Sequence, residues 1–444
     1  MRKIGLWAVT ACLLAIVTVP ALASGFSIYE QSAKASGQAG AWVARADDAA
    51  AAWYNPAAMV HLDGMQVQFG INFITIGSDT EFVSGDPFWG LDPENPTTFK
   101  TESSTATPIH LYFTQSINEK MAWGLAVTTP FGLVTEWADV PVTLSSRKAE
   151  LHSFVVNPNI AYRFNEQWSG AFGLDYITSD VKNFSRDLDQ SELLGMDPLT
   201  VVGMTNLSGD GDDWGWNLAL HYDGPKFDFG FTYRAELSPE IDGEVKFYDI
   251  HPALGPDGAD LFPDGPGTAT LDLPAQAAIG FAVPAGEKWT VEFDVSWAGW
   301  SSFENLALDF ENETSIIVQI PDRVAQIEIP VVEDITLRED WDDTFCFRLG
   351  TAWKMKERHE LRFGALYDLL QESGFDLSTP GKGRNVFMSF GVALALEATA
   401  VGLLDADIRN FNRGQLDRIF FPVQVLNYQF SKAFYARWTS AGMY

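Results

Sequence analysis

His152-Ser153-Phe154-Val155-Val156-Asn157-Pro158-Asn159-Ile160-Ala161-Tyr162-Arg163-Phe164, the break Asn165-Glu166-Gln167, and then Trp168-Ser169-Gly170-Ala171-Phe172-Gly173-Leu174-Asp175-Tyr176 decide the fold. Large apolar side chains fall on every second residue, and small or polar ones fall between them. That is the period of a β-strand with two unlike faces. The motif recurs at Trp214–Tyr222, Phe227–Tyr233, Trp289–Trp297, Phe345–Trp353 and Leu361–Leu369. A soluble sandwich also alternates. Here, however, the apolar face is built of large aromatic and aliphatic residues, and the other of Gly, Ala, Ser, Asn and charge. Aromatics also gather near strand ends, at Trp123, Tyr162, Phe164, Trp168, Tyr222, Phe227 and Trp289. Such a band matches the interfacial girdle of a membrane β-barrel.

The connections sort into two kinds. Asn118-Glu119-Lys120, Asn165-Glu166-Gln167, Asp223-Gly224-Pro225, Ala285-Gly286-Glu287 and Lys356-Glu357-Arg358 are short. The stretches near 79–104, 132–150, 180–213, 249–268, 311–343 and 371–383 are long and polar. Short and long alternate, as periplasmic turns and extracellular loops do in outer-membrane barrels. Strands beginning near 65, 105, 120, 151, 167, 214, 226, 269, 287, 344, 359, 384, 399 and 423 give fourteen. The fold class predicted is therefore all-β, a transmembrane antiparallel barrel of about fourteen strands over residues 65–444.

Residues 1–23 read as a signal peptide: Arg2 and Lys3, an apolar run from Ile4 to Val19, and Ala21-Leu22-Ala23 before the cleavage point. No later stretch makes a convincing membrane helix; the best, Val386–Leu404, carries Glu397. With Cys12 removed, Cys346 stands alone, so no disulfide framework or cysteine zinc site is expected. The net charge of the whole chain is −30, from 29 basic and 59 acidic residues, which opposes a nucleic-acid surface. Loops 79–104, 180–213, 249–268 and 311–343 hold 28 acids against 5 bases. They read as a solvated outer surface or, alternatively, as a place for divalent cations or lipopolysaccharide. Neither Asp210-Gly211-Asp212-Asp213 nor the cluster Glu339 to Asp343 has calcium-loop spacing, so no metal and no cofactor is predicted.

Ser24 to Gly64 does not alternate. It holds twelve alanines, has plausible helical turns around Ala33 to Arg45, and ends in Trp53-Tyr54-Asn55-Pro56-Ala57. Fourteen strands enclose a bore wide enough for water. Residues 24–64 are accordingly expected to form a small-residue, partly helical hatch plugging the lumen; a flexible linker is the alternative.

At this point the sequence resembles the FadL-type long-chain fatty acid transporters of the outer membrane. The resemblance rests on Ser24-Gly25-Phe26, Ala46-Asp47-Asp48-Ala49, Asn55-Pro56-Ala57, Pro130 to Trp137, Val156 to Arg163, Leu273-Pro274-Ala275, Trp297 with Trp300-Ser301-Ser302-Phe303, and Asp343-Thr344 before Arg348-Leu349-Gly350. That family includes channels for toluene- and xylene-type hydrocarbons, and the motifs do not separate the two. The resemblance implies capture of a hydrophobic molecule in a lumenal pocket, a hatch that shifts, and a side opening at a kinked strand. Asn55, Pro56 and Ala57 would be the hatch hinge. Phe26, Phe131, Arg348 and Arg362 would face the pocket. Pro130 and Gly132 would kink the third strand and turn Phe131 inward, although Pro130 could also simply end that strand. Arg163, Arg234, Arg348 and Arg362 fall on the inner face, where wall carboxylates compete for them with any ligand.

The six histidines, His61, His110, His152, His221, His251 and His359, lie in no nucleophile motif, so no enzyme is expected. The expected partners are long-chain fatty acids or other hydrophobic small molecules, outer-membrane lipid and lipopolysaccharide, but no nucleic acid. A monomer in the outer membrane of a Gram-negative bacterium is expected. A non-transporting structural or adhesive barrel is the alternative class. The chain ends irregularly: from Ala398 onward, 5 bases meet 3 acids, and the last two strands are the least regular of the fourteen.

Overall fold

The computed structural model describes residues 26–76, 78–81, 98–140, 142–189, 200–252, 258–319, 326–338, 341–356, 359–369, 390–396 and 436–439. Twelve strands follow one another around a continuous antiparallel sheet. They are β1 Met65–Ile71, β2 Ile109–Asn118, β3 Met121–Thr128, β4 Lys148–Arg163, β5 Trp168–Asp189 and β6 Val201–Asp223. Then come β7 Asp228–Arg234, β8 Gln276–Ala285, β9 Trp289–Ala298, β10 Thr344–Lys356, β11 His359–Leu369 and β12 Phe390–Leu396. Each pairs with the next in sequence. These are the first twelve of the fourteen expected strands. Of the last two, only Ala436–Thr439 is described, running parallel to Ser78–Glu81. No pairing among the described residues joins β12 back to β1.

The two faces separate as the alternation requires. Phe154, Ile160, Phe172, Leu174, Trp216, Leu218, Ile279, Phe281, Phe293 and Leu349 are exposed, each by at least 40%. Their neighbours Asn157, Asn159, Ala161, Asp175, Asn217, Ala219, Ala278, Glu292 and Asp294 are buried. A water-soluble core would invert this arrangement. Rings pair on the outside at two levels, Trp168 with Tyr222 and Tyr176 with Trp214. Eight residues separate the levels on β5, roughly 26 Å along a strand at about 3.3 Å per residue. A tilt of about 40° brings this to roughly 20 Å, close to the apolar band of an outer-membrane barrel.

The short turns are built alike. The Asn118 and Asn165 carboxamide oxygens each accept two backbone N–H groups two and three residues on. The long connections differ from expectation. Residues 180–189 and 201–213 continue β5 and β6 as strand, and Glu240–Tyr248, Gly265–Thr270, Asn305–Phe310 and Ile335–Arg338 extend the sheet beside them. There one face packs on a buried apolar cluster that includes Leu207, Ile241, Val245 and Leu308, while on β6 the run Ser208-Gly209-Asp210-Gly211-Asp212-Asp213 lacks the apolar alternation that signals a strand. At Gly209 and Gly243 the strands approach so closely that a Cβ at either would fall within 3 Å of backbone atoms of the other strand.

We expect Leu218→Lys, at the middle of the outer face, to lower barrel stability by about 2–4 kcal/mol. Folding into lipid vesicles against urea, read by heat-modifiable gel mobility, measures it. Ala219→Ser, one residue on but facing inward, should change stability far less.

Candidate functional site: a cavity beside a broken strand

Residues 26–62 run inside the curve of the sheet, and most of them are buried. A helical turn at Ala33–Ser36 is shorter than the alanine content suggests. The chain enters the left-handed region at Ala39, φ 56°, and Gly40, φ 84°. A Cβ on Gly40 would lie 2.8 Å from the Tyr29 ring and 2.9 Å from Arg348, so only glycine fits. A second turn, Ala51–Tyr54, leads into a 3-10 turn at Pro56–His61. Asn55, fully buried, caps it: its Oδ1 accepts the Ala57 N–H at 3.1 Å, and its amide donates to Val43 O at 2.8 Å and Leu220 O at 3.3 Å. Proline at the first position suits that cap. Asn55, Pro56 and Ala57 thus sit together between the buried segment and β1.

The wall holds this segment chiefly by its carbonyls. Asn159 donates to Ala52 O, Ser169 to Ala57 O, and Arg163 to Val60 O. His61 lies beside His221 and Asp223, with ring centroids of the two histidines 5.1 Å apart. Burial, then the His221 ring, push the His61 pKa down to about 4, so this contact stays neutral near pH 7.

Strand β3 breaks where Pro130 and Gly132 stand. Thr128 pairs with Val155 and Gly132 with His152, so four steps on one strand oppose three on the other. The extra residue is a bulge, and it reverses parity. Phe131, outward by simple alternation, is 2% exposed and faces inward. The N-terminal segment fills the broken ladder. Ile28 N–H donates to Pro130 O at 2.6 Å, and Gly132 N–H donates to Phe26 O at 3.0 Å. Gln31 adds its side-chain N–H to Thr129 O at 2.7 Å.

Phe26 thereby enters an aromatic cluster. Its ring centroid is 4.8 Å from Trp300, 5.8 Å from Trp341, 5.9 Å from Phe303 and 6.1 Å from Phe131. Beside this cluster lies a cavity of about 270 Å³ whose lining includes Ser27, Tyr29, Trp53, Tyr54, Pro130, Arg234, Trp297, Cys346 and Arg348. The Arg348 guanidinium lies 4.0 Å over the Tyr29 ring and bonds Ser296. Arg234 lies 3.7 Å over Trp53 and pairs with buried Asp175.

The structure places Phe26 and Phe131 in the aromatic cluster, and Pro130 and Arg348 in the lining of the cavity beside it. Arg362 is absent from the cavity lining; it pairs with Glu360 at 2.9 Å. Wall carboxylates compete for the arginines, as the shared face implied. Trp341 was not anticipated, because it stands in a run of acids that reads as loop. A lone tryptophan between Asp340 and Asp342 was the available signal.

This is the architecture of an outer-membrane channel wall with its own N-terminus packed against the inner face. Residues 14–409 match the family model for outer membrane protein transport proteins (OMPP1/FadL/TodX), and the chain belongs to that family. It is 24% identical over 381 residues to a long-chain fatty acid transport protein of Escherichia coli O6:H1, covering 81% of this chain and 80% of the relative. It superposes on the crystal structure of a Pseudomonas aeruginosa FadL homologue with a TM-score of 0.65 at 18% identity, covering 84% and 87% of the two chains. For the Pseudomonas putida toluene transporter TodX the TM-score is 0.53 at 17% identity, with 74% and 84% covered. The protein is an outer-membrane protein of a Gram-negative bacterium that transports hydrophobic compounds. The Escherichia coli relative and the Pseudomonas putida structure are both named as transporters.

Phe26→Ala should loosen the start of the segment by about 3–5 kcal/mol, the usual loss for a buried phenylalanine. Hydrogen exchange at the Ile28 and Gly132 amides should accelerate while the β5–β6 amides stay protected.

Proposed function

We propose that the protein moves long-chain fatty acids across the outer membrane by passive capture and release. Residues 24–64 act as a hatch inside a fourteen-stranded barrel, residues 65–444, once the signal 1–23 is removed. The ligand enters from the extracellular side, occupies the cavity beside Phe26, Phe131 and Arg348, and leaves sideways where β3 is broken. Asn55, Pro56 and Ala57 hinge the hatch. Arg362 belongs with the hatch seat more than with the cavity. The barrel works as a monomer, with lipopolysaccharide around its upper rim.

One observation carries this reading. Phe26 fills an aromatic pocket while its backbone completes the broken ladder, so an apolar ligand entering there competes with the chain's own N-terminus. Burying an alkyl chain is worth roughly 0.8 kcal/mol per methylene, enough to displace one phenylalanine. The acid is favoured over a neutral hydrocarbon because Arg348 lies at the cavity wall, where a carboxylate would form a charge-assisted bond. The aromatic cluster supports the second reading, a channel for monoaromatic hydrocarbons, since flat rings pack edge-to-face there.

Competition between oleate and toluene for the purified protein distinguishes them. The acid reading expects oleate to bind, and Arg348→Gln to weaken it by about ten- to a hundredfold, the range of a lost charge-assisted bond. Binding of toluene alone, indifferent to Arg348, selects the second reading. Unchanged oleate and toluene uptake in a deletion strain would sink both.

A further inference from the structure

Strand β9 carries two carboxylates on its inner face, Glu292 and Asp294, each 1% exposed. Buried acids in a membrane protein are costly and need partners. Theirs are backbone amides of the N-terminal segment. Asp294 Oδ2 accepts Trp42 N–H at 2.8 Å and Val43 N–H at 3.0 Å. Glu292 Oε1 accepts Ala44 N–H at 2.8 Å and Arg45 N–H at 3.2 Å. Four consecutive amides thus converge on two buried carboxyl groups. The same stretch is held from its carbonyl side, Val43 O by the Asn55 amide and Ala44 O by His221 Nε2 at 2.9 Å.

Apart from Arg348, which faces Asp294 from β10, the wall around the acids is built of glycine. In register, Gly230 faces Gly280, Gly280 faces Asp294, Glu292 faces Gly350, and Gly350 faces Gly364. A Cβ at Gly230 would fall 2.1 Å from Val43 O, and one at Gly364 2.2 Å from Gln38 C. Five neighbouring strands, β7 to β11, therefore form a flat seat with two acceptors at its centre. This seat lies six strands around the sheet from the break in β3. Among the attachments of the N-terminal segment, the one at residues 26–31 joins aromatic packing to backbone hydrogen bonds with β3, and the one at Trp42–Arg45 is made by hydrogen bonds to these two side chains.

We propose that Glu292 and Asp294 are positioning residues that latch the hatch in the bore, so that residues 26–31 can yield to a ligand while residues 42–45 keep the channel closed to water-soluble solutes. This rests on residues 24–64 being the hatch, but not on which ligand is carried. Their hydrogen bonds, not their bulk, do the holding.

The test uses the full mature chain in planar lipid bilayers, with potassium chloride as the permeant. The wild type should pass little current. Glu292→Ala with Asp294→Ala should raise the time-averaged conductance about tenfold or more, equivalent to about 1.4 kcal/mol of latch strength. Glu292→Gln with Asp294→Asn should stay near the wild type, because the amide oxygens still accept the same N–H groups. Hydrogen exchange at Trp42–Arg45 should rise in the alanine pair alone, and heat-modifiable mobility should persist in all variants. If the alanine pair does not assemble, each single alanine is measured in the same way. Wild-type conductance and protection in assembled alanine variants overturn the latch. Amide variants that leak as the alanine variants do overturn hydrogen bonding as its cause. Oleate binding is read in parallel: its loss from the wild type would sink the fatty acid reading and leave the latch standing.

Discussion

Hydrocarbon offers no partner for a backbone N–H or C=O, and every other feature of this protein follows from that. Strands that cross lipid must satisfy one another along their full length. The outer face must then be apolar without interruption, as Phe172, Leu218, Phe281 and Leu349 are, and polarity is confined to the inner face. That inner face cannot stay bare. Asn159, Ser169, Arg163, Asp294 and Glu292 all find their partners in the main chain of residues 42–60. The segment is rich in alanine because its backbone, not its side chains, must reach the wall. Four alanines in a row, Ala49–Ala52, are each at most 2% exposed.

The break in β3 relaxes the constraint, and the protein compensates for it from within. Pro130 brings no N–H to a ladder, and the bulge carries Phe131 off the outer face. The carbonyl of Pro130 and the amide of Gly132 would be left unpaired at membrane depth. Ile28 supplies the missing donor and Phe26 the missing acceptor. Residues 26–28 are therefore a short piece of strand laid against β3. Withdrawing it exposes two backbone groups and a Phe-sized space together, which ties any opening of the wall to vacating the aromatic cluster.

The sequence displays the wall more clearly than the site. Alternation at Trp168–Tyr176 or Trp289–Trp297 survives because lipid on one side and packed interior on the other impose a strict period of two. It fades at 208–213, where Ser208-Gly209-Asp210-Gly211-Asp212-Asp213 carries no apolar side chain and β6 continues unannounced. The parity switch at Phe131 was visible as Pro130 and Gly132, since those residues act on the backbone locally. Arg348 and Arg362 look alike in sequence, on the same face with acids nearby. Which one meets the cavity depends on Tyr29 and Glu360, and those pairings come from chain folding rather than spacing. The seat of Gly230, Gly280, Gly350 and Gly364 was likewise invisible, because register between strands is set by turns and bulges that a single strand does not encode.

The two attachments of the N-terminal segment differ in what can compete with them. The Phe26 side chain is held by rings, and an apolar molecule of similar shape replaces those contacts without directional demand, although the backbone bonds of Phe26 and Ile28 to β3 must also part. Trp42 to Arg45 are held by hydrogen bonds to two buried carboxyl groups, and a hydrocarbon chain offers no substitute. An apolar ligand therefore weakens one attachment and leaves the other untouched. A wall that must admit grease and exclude water needs that asymmetry. Had both ends been apolar, the ligand that opens the side path would also unseat the plug. Had both been polar, no fatty acid tail would move either. In the function proposed above, the division of labour between β3 and β9 lets one short segment serve as gate at one end and seal at the other.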